Sequence, residues 1–202
     1  MSYTYLALGD SYTIGEGVPL HESFPYQLVQ MLRNEGLTFL APEIVAQTGW
    51  TTAELLDHLS KTKLYTHYDF VTLLIGVNNQ YRGLSADDYK KDFEMLLKKA
   101  RSFAKEDSGV IVLSIPHWGM TPFAADRDTA KIEAEIDLFN SINKSMAVDA
   151  GIQYIDIAEG TKEVVNNGAL LTKDNLHYSG VAHGGWAKEI AAVIEKVIAL
   201  NG

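Results

Sequence analysis

Phe70-Val71-Thr72-Leu73-Leu74-Ile75-Gly76 is a run of strand-forming residues with almost no polar interruption, closed by a glycine. A strand with one face in water alternates apolar and polar side chains. A strand covered on both faces does not, and parallel sheets flanked by helices are where such strands occur. Downstream, Val110-Ile111-Val112-Leu113-Ser114-Ile115 (stopped by Pro116) and Ile152-Gln153-Tyr154-Ile155-Asp156-Ile157 read as two more strands. Upstream, Tyr3-Thr4-Tyr5-Leu6-Ala7-Leu8 reads as a strand that stops at the turn signal Gly9-Asp10. Ile44-Val45-Ala46-Gln47 follows Pro42. Proline is tolerated at a sheet edge, so this strand is expected there.

Helical periodicity fills the gaps. One helix should begin around Ser23, with Pro25 in its first turn and Phe24, Leu28, Met31 and Leu32 on one face. A short helix spans Thr52 to Leu59. Ser85-Ala86-Asp87-Asp88 resembles a capping box, and the helix after it carries Tyr89, Phe93, Leu96, Leu97, Ala100 and Phe103 in one stripe. Residues 128–150 form a long helix with Ile132, Ile136, Phe139, Ile142 and Met146 inward, and a last helix runs from about Gly180 to Leu200 with Ile190, Ala191, Ile194, Val197 and Ile198 toward the core. Strands alternating with helices imply a parallel sheet with helices on both faces. Residues 1–202 show no linker, repeat or low-complexity stretch and read as one domain. Ser11 to Pro19 reads as a loop, and His117–Arg127 and Asn166–Ser179 are long irregular segments of the kind that bind ligands.

Chemistry concentrates at two places. Ser11 follows the first strand at its carboxyl end, the side of an open parallel sheet where ligands bind. Asp174-Asn175-Leu176-His177 precedes the final helix. A serine hydroxyl becomes an effective nucleophile when an imidazole takes its proton, and the imidazole needs a carboxylate to fix its tautomer and stabilise its cation. Ser11, His177 and Asp174 supply these three roles, and the D-x-x-H spacing lets Asp174 and His177 converge from one turn. Asp10 reads as a structural residue of its turn.

Gly9-Asp10-Ser11-Tyr12 resembles the first block of the GDSL esterases and lipases, the SGNH hydrolases. Matches to the other blocks follow in order: Gly49 in Gln47-Thr48-Gly49-Trp50, Asn78 in Gly76-Val77-Asn78-Asn79, and His177 in Asp174-Asn175-Leu176-His177. The resemblance covers almost the whole chain. It implies a three-layer α/β/α, flavodoxin-like sandwich with a mainly five-stranded parallel sheet. It also implies an oxyanion hole made by the backbone N–H groups of Ser11 and Gly49 and the Asn78 amide. The implied activity is hydrolysis of carboxylic esters through an acyl-enzyme on Ser11. Small or medium acyl groups are expected, with carbohydrate O-deacetylation as the nearest alternative and lysophospholipase or thioesterase action also within the family. One position departs: the third block often reads Gly-x-Asn-Asp, and here Asn79 stands last, so an amide must replace that carboxylate's contacts.

Composition bounds the partners. The formal net charge is −9, which argues against nucleic acid and against electrostatic docking on anionic membranes. There is no cysteine, hence no disulfide or thiolate chemistry. No apolar run is long enough to span a bilayer and no basic leader is visible before the first strand, so a cytoplasmic place without a stable membrane anchor is expected, with a mature form whose leader has been removed as the alternative. The oligomeric state is left open. No cofactor is expected, and no metal: His183 lies six positions after His177, a spacing that matches no strong ligand motif. His21, His58 and His67 read as solvated. Tyr12, Trp50, Tyr81 and Tyr178 flank the four blocks, and His117 and Trp118 follow the fourth strand; all six are candidates for the substrate pocket. Parts of the chain also fit two other classes. A flavodoxin-like phosphate cradle at Ser11, Thr13, Gly15 and Gly17 would leave Asn78 and the Asp174–His177 pair without a role. A non-catalytic binding module would not need the full set.

Overall fold

The structure, a computed structural model, describes residues 2–106 and 109–201. Five strands form one parallel sheet: β1 (Tyr5–Gly9), β2 (Glu43–Ala46), β3 (Phe70–Leu74), β4 (Val110–Leu113) and β5 (Gln153–Ile155), in the order β2-β1-β3-β4-β5. Every pairing is parallel. β1, β3 and β4 are buried throughout, as the unbroken apolar runs require, whereas β2 and β5 are partly exposed at the two edges. Pro42 falls just before β2, where its missing N–H costs no ladder bond.

The helices are α1 (Ser11–Ile14), α2 (Phe24–Asn34), α3 (Thr52–Lys61), α4 (Val77–Tyr81), α5 (Ala86–Phe103), α6 (Thr129–Asp149), α7 (Ala158–Thr161) and α8 (Gly180–Asn201). α2 packs on α8, while α3, α5 and α6 pack in series, giving two helical layers around the sheet. Ser85 caps α5 as read from the sequence: its hydroxyl accepts the Asp88 N–H at 3.1 Å. Among the described residues no helix is long and apolar enough to cross a membrane.

Two expectations change. The strands β3, β4 and β5 end before the apolar runs do. Ile115 leaves the ladder because the Asn140 side chain on α6 takes its place, accepting the Ile115 N–H at 2.7 Å and donating to its carbonyl at 2.9 Å. The inward face of α6 is accordingly Ile132, Ile136, Phe139, Asn140, Asn143 and Ala147, with Ile142 and Met146 only half-buried. A backbone that quits a sheet inside the core must find other partners, and apolar periodicity cannot signal a buried amide that supplies them.

The chain crosses from β1 outward to β2, then back to β3 on the other side of β1. The order of strands therefore reverses beside β1, and the crevice opens at the carboxyl ends of β1 and β3. Gly9 pairs in register with Leu74, so the segments that follow the two strands leave the sheet at one level.

Candidate active site

Ser11 opens α1 directly past β1. The segment after it begins as a helical turn rather than the expected loop, because Asp10 caps it: its Oδ1 accepts the Tyr12 N–H at 3.0 Å. Asp10 is wholly buried and its Oδ2 has no hydrogen-bond partner. Burial pushes its pKa up to about 7 against the hydrogen bonds that favour the charged form. Asp10 is thus built into the turn.

Gly76 precedes α4 with φ 133°, where an added Cβ would meet the Tyr89 ring at 2.6 Å. This tight entry brings Asn78 to the edge that carries Ser11. The Asn78 amide donates to the Trp50 carbonyl at 3.0 Å. A primary amide carries two N–H donors, so this bond fixes the group and leaves one donor. Gly49 takes φ 87°, which favours glycine, and its carbonyl accepts from Arg82 Nη2 at 2.5 Å. Arg82 in turn holds Glu54, which closes the capping box of α3 with Thr51. The two donor loops are thereby tied to each other and to a helix N-terminus.

Asn79 answers the departure from the resembling family's pattern. It is buried; its Oδ1 accepts the Thr52 N–H at 3.0 Å and its Nδ2 donates to Thr52 Oγ1 at 2.7 Å. The Thr52 hydroxyl in turn donates to Asp92 Oδ2 at 3.1 Å. The amide both accepts and donates, which suits a threonine whose hydroxyl is already committed to a carboxylate. The contacts of a carboxylate at 79 are replaced without leaving a polar atom of Asn79 unpaired.

The segment before α8 brings Asp174 and His177 together. Asp174 Oδ2 lies 2.6 Å from His177 Nδ1. Its Oδ1 accepts from Thr172 Oγ1 at 2.7 Å and from the N–H groups of Leu176 and His177, each at 2.9 Å. Asn175 at φ 59° makes the turn that allows this. Partial burial works to raise the Asp174 pKa, but the hydrogen bonds from the His177 ring, Thr172 and the two backbone groups outweigh it and hold the carboxyl well below its ordinary range.

A cavity of about 220 Å³ joins these parts; Ser11, Gly49, Asn78 and His177 share its wall with Tyr12, Tyr81 and Trp118. Among the described residues no hydrogen bond joins Ser11 to His177, although both line the same cavity. Three pocket candidates are elsewhere. Tyr178 is fully buried, its hydroxyl donating to the His117 carbonyl at 3.1 Å, because its ring packs among Tyr12 and Trp186. His117 is buried beside Asp137, 3.2 Å from its Nε2, and burial lowers its pKa against the attraction of that carboxylate. Trp50 turns its ring onto His58, at 4.8 Å, and lines a separate surface hollow. Tyr12 and Tyr81 line the cavity while Tyr178, His117 and Trp50 do not, so flanking a motif does not by itself place a ring there. His58 is accordingly half-buried rather than solvated. His183 is a core residue whose Nδ1 accepts the Phe24 N–H at 3.2 Å, and burial lowers its pKa to about 3. Among the described residues no group of three His, Asp or Glu side chains is arranged to hold a metal ion.

Thr48, Val77, Phe123 and Leu176 also line the cavity and escaped the sequence reading. Thr48, Val77 and Leu176 sit inside the quoted blocks, which was the available signal. Phe123 comes from a long irregular segment, and only the fold brings it there.

A family model described as GDSL-like lipase/acylhydrolase matches residues 7–184. No curated protein matches. Among solved structures, TesA superposes with a TM-score of 0.72 at 20% identity, over 96% of this chain and 98% of its own. Axe2, an acetylxylan esterase from Geobacillus stearothermophilus, gives 0.73 at 18% identity over 95% and 94%. The lipase/acylhydrolase from Enterococcus faecalis gives 0.76 at 19% identity over 96% of each chain. At such identities these likenesses are of fold, and the fold is the α/β/α sandwich expected from the sequence.

Proposed function

The chain belongs to the GDSL-like lipase/acylhydrolase family, and on that premise we propose that it is a serine esterase acting on carboxylic esters of small or medium acyl groups. The observation that carries the reading is the Asp174–His177 pair at 2.6 Å, beside a cavity whose wall also holds Ser11, Gly49 and Asn78. In this reading the Ser11 hydroxyl attacks the ester carbonyl while His177 Nε2 takes its proton. Asp174 stays ionised, accepts from Nδ1–H and stabilises the imidazolium. The carbonyl oxygen gains negative charge and is met by the N–H groups of Ser11 and Gly49 and the Asn78 amide. The C–O bond to the alcohol breaks, His177 protonates the departing oxygen, and an acyl-enzyme remains on Ser11. Water, deprotonated by His177, then releases the acid and restores the serine.

The cavity is small and its wall is largely apolar and aromatic, which suits a short acyl chain. The half-exposed rings of Tyr81 and Phe123 also favour a second reading, removal of O-acetyl groups from a carbohydrate, since sugar faces stack on such rings. Hydrolysis of p-nitrophenyl esters from acetate to palmitate, with Ser11→Ala beside the wild type, tests the first reading. Turnover should fall to background in the variant while its thermal midpoint holds. Turnover retained by Ser11→Ala would remove Ser11 from the mechanism. Acetate release from acetylated xylan, with poor action on simple esters, would favour the second reading.

A further inference from the structure

Arg127 ends the irregular segment between β4 and α6, and its guanidinium stands over three rings. Its Cζ lies 5.0 Å from the Tyr81 centroid, 5.5 Å from Trp118 and 5.6 Å from Phe123, and Nη2 donates to the Tyr81 hydroxyl at 3.2 Å. Among the described residues it forms no ion pair with a carboxylate, so the rings are its principal partners. All three rings line the cavity that holds Ser11 and His177.

They are not equally secured. Trp118 is buried, and its indole N–H donates to Gln80 at 2.7 Å. Tyr81 and Phe123 are 45% and 40% exposed, and they come from separate segments, one from the end of α4 and the other from the segment after β4. The Phe123 backbone is fixed, since its N–H donates to the Asn175 carbonyl in the Asp174–His177 turn at 3.2 Å. Its ring, however, is held through Trp118, 6.2 Å away, and Arg127. A planar cation can attract several ring faces at once, which an ammonium or an aliphatic side chain does less well.

We propose that Arg127 is the specificity-determining clamp of the acyl pocket: by holding Tyr81 and Phe123 against Trp118 it closes the far wall and limits the length of acyl chain that the site accepts. This rests on the esterase reading. Without the guanidinium, Trp118 keeps its bond to Gln80, while the two exposed rings keep only their edge contacts with Trp118, at 5.4 Å for Tyr81 and 6.2 Å for Phe123, and can turn outward and lengthen the pocket. Arg127 touches none of the groups assigned to bond making, so acetate, which needs no length, should be turned over as before.

The test is kcat and KM for p-nitrophenyl acetate and octanoate in the wild type, Arg127→Ala and Arg127→Lys. In Arg127→Ala the octanoate-to-acetate ratio of kcat/KM should rise about tenfold, the scale on which pocket space for a methylene discriminates. The gain should come from a lower KM for octanoate, with kcat for acetate within about twofold of wild type; these effects are small beside those of catalytic groups. Arg127→Lys, which keeps the charge and loses the planar fork, should lie between them. An unchanged ratio would overturn the clamp, as would a parallel loss on both esters, which marks general damage to the site. A wild type without Ser11-dependent turnover would instead overturn the esterase reading, and the clamp with it.

Discussion

Asp10 and Asp174 are two carboxylates flanking one cavity, and they are held in opposite ways. Asp10 is wholly buried in the β1–α1 turn, with one oxygen on the Tyr12 N–H and the other without a partner, and its pKa is pushed up to about 7. Asp174 is close to half-exposed, yet it accepts hydrogen bonds from Thr172, Leu176 and His177 and sits well below the ordinary carboxylate range. Burial outweighs the hydrogen bonds at Asp10, whereas at the half-exposed Asp174 the donors outweigh burial and keep the charge. A group meant to stabilise an imidazolium must be ionised whenever the imidazole is working. Asp174 meets that condition across the neutral range. Asp10 loses its proton within it.

The sharpest way to break this contrast is to neutralise each carboxylate in turn. Asp174→Asn should lower kcat by on the order of 10⁴, since the amide favours the wrong tautomer of the base. Asp10→Asn should stay within about tenfold of wild type, because it touches the mechanism only through the Ser11 turn. Steady-state kinetics on a short ester decides this, and a larger loss at Asp10 than at Asp174 would invert the assignment.

Removing the amide that supports the donor loops is the next effect in size. Asn79→Leu leaves the Thr52 N–H without its acceptor inside the protein, which should cost about 1–3 kcal/mol. Urea unfolding reads this directly, and a midpoint equal to wild type would mean that the packing around α3 relaxes to let water in.

The two carboxylates also give stability slopes of opposite sign. The Asp10 pKa is raised in the folded chain, from 3.8 to about 7, so between these values the folded state holds a proton that the unfolded state has lost. The Asp10 contribution to stability therefore falls as pH rises across that window, by at most about 1.4 kcal/mol per pH unit, and levels off above it, while buried His183, its pKa lowered from 6.5 to about 3, contributes in the opposite sense below 6.5. The Asp174 pKa is depressed, so its contribution is present above the unfolded value of 3.8 and is lost as pH falls below it. Denaturant midpoints from pH 3 to 8 should show stability rising more with pH between 3.8 and about 7 in Asp10→Asn than in the wild type, and the acid slope flattened in Asp174→Asn. A slope in the upper window unchanged in Asp10→Asn would mean that another group titrates there.

The smallest effect expected is at Thr172, whose hydroxyl supplies one of the bonds to Asp174. Thr172→Val should reduce kcat only a few-fold, roughly 1 kcal/mol or less, because three other donors remain. A loss as large as that of Asp174→Asn would mean that Thr172 alone sets the carboxylate's position.

Much of this was legible in the chain. The apolar runs at 70–75 and 110–115 pointed to buried parallel strands, which occupy Phe70–Leu74 and Val110–Leu113, and the Asp174–His177 spacing is local enough to specify its own geometry. Tyr178, His117 and Trp50 were misplaced as pocket residues because nearness in sequence does not say on which side of a turn a ring falls. Asn140 and Asn79 were missed or left open for a different reason. A buried amide is chosen by the backbone groups that it must satisfy, and those lie 25 and 27 residues away.

The sequence by itself determined the order of strands and helices, the four chemical blocks and the pairing of His177 with Asp174. These depend on periodicity and on contacts across a few residues. The tertiary structure decided which of the flanking aromatics face the cavity, that Asn79 serves where a carboxylate is often found, and that Arg127 gathers Tyr81, Trp118 and Phe123 into one wall. Those are meetings of segments tens of residues apart, and only the closing of the parallel sheet and its helices sets the distances between them.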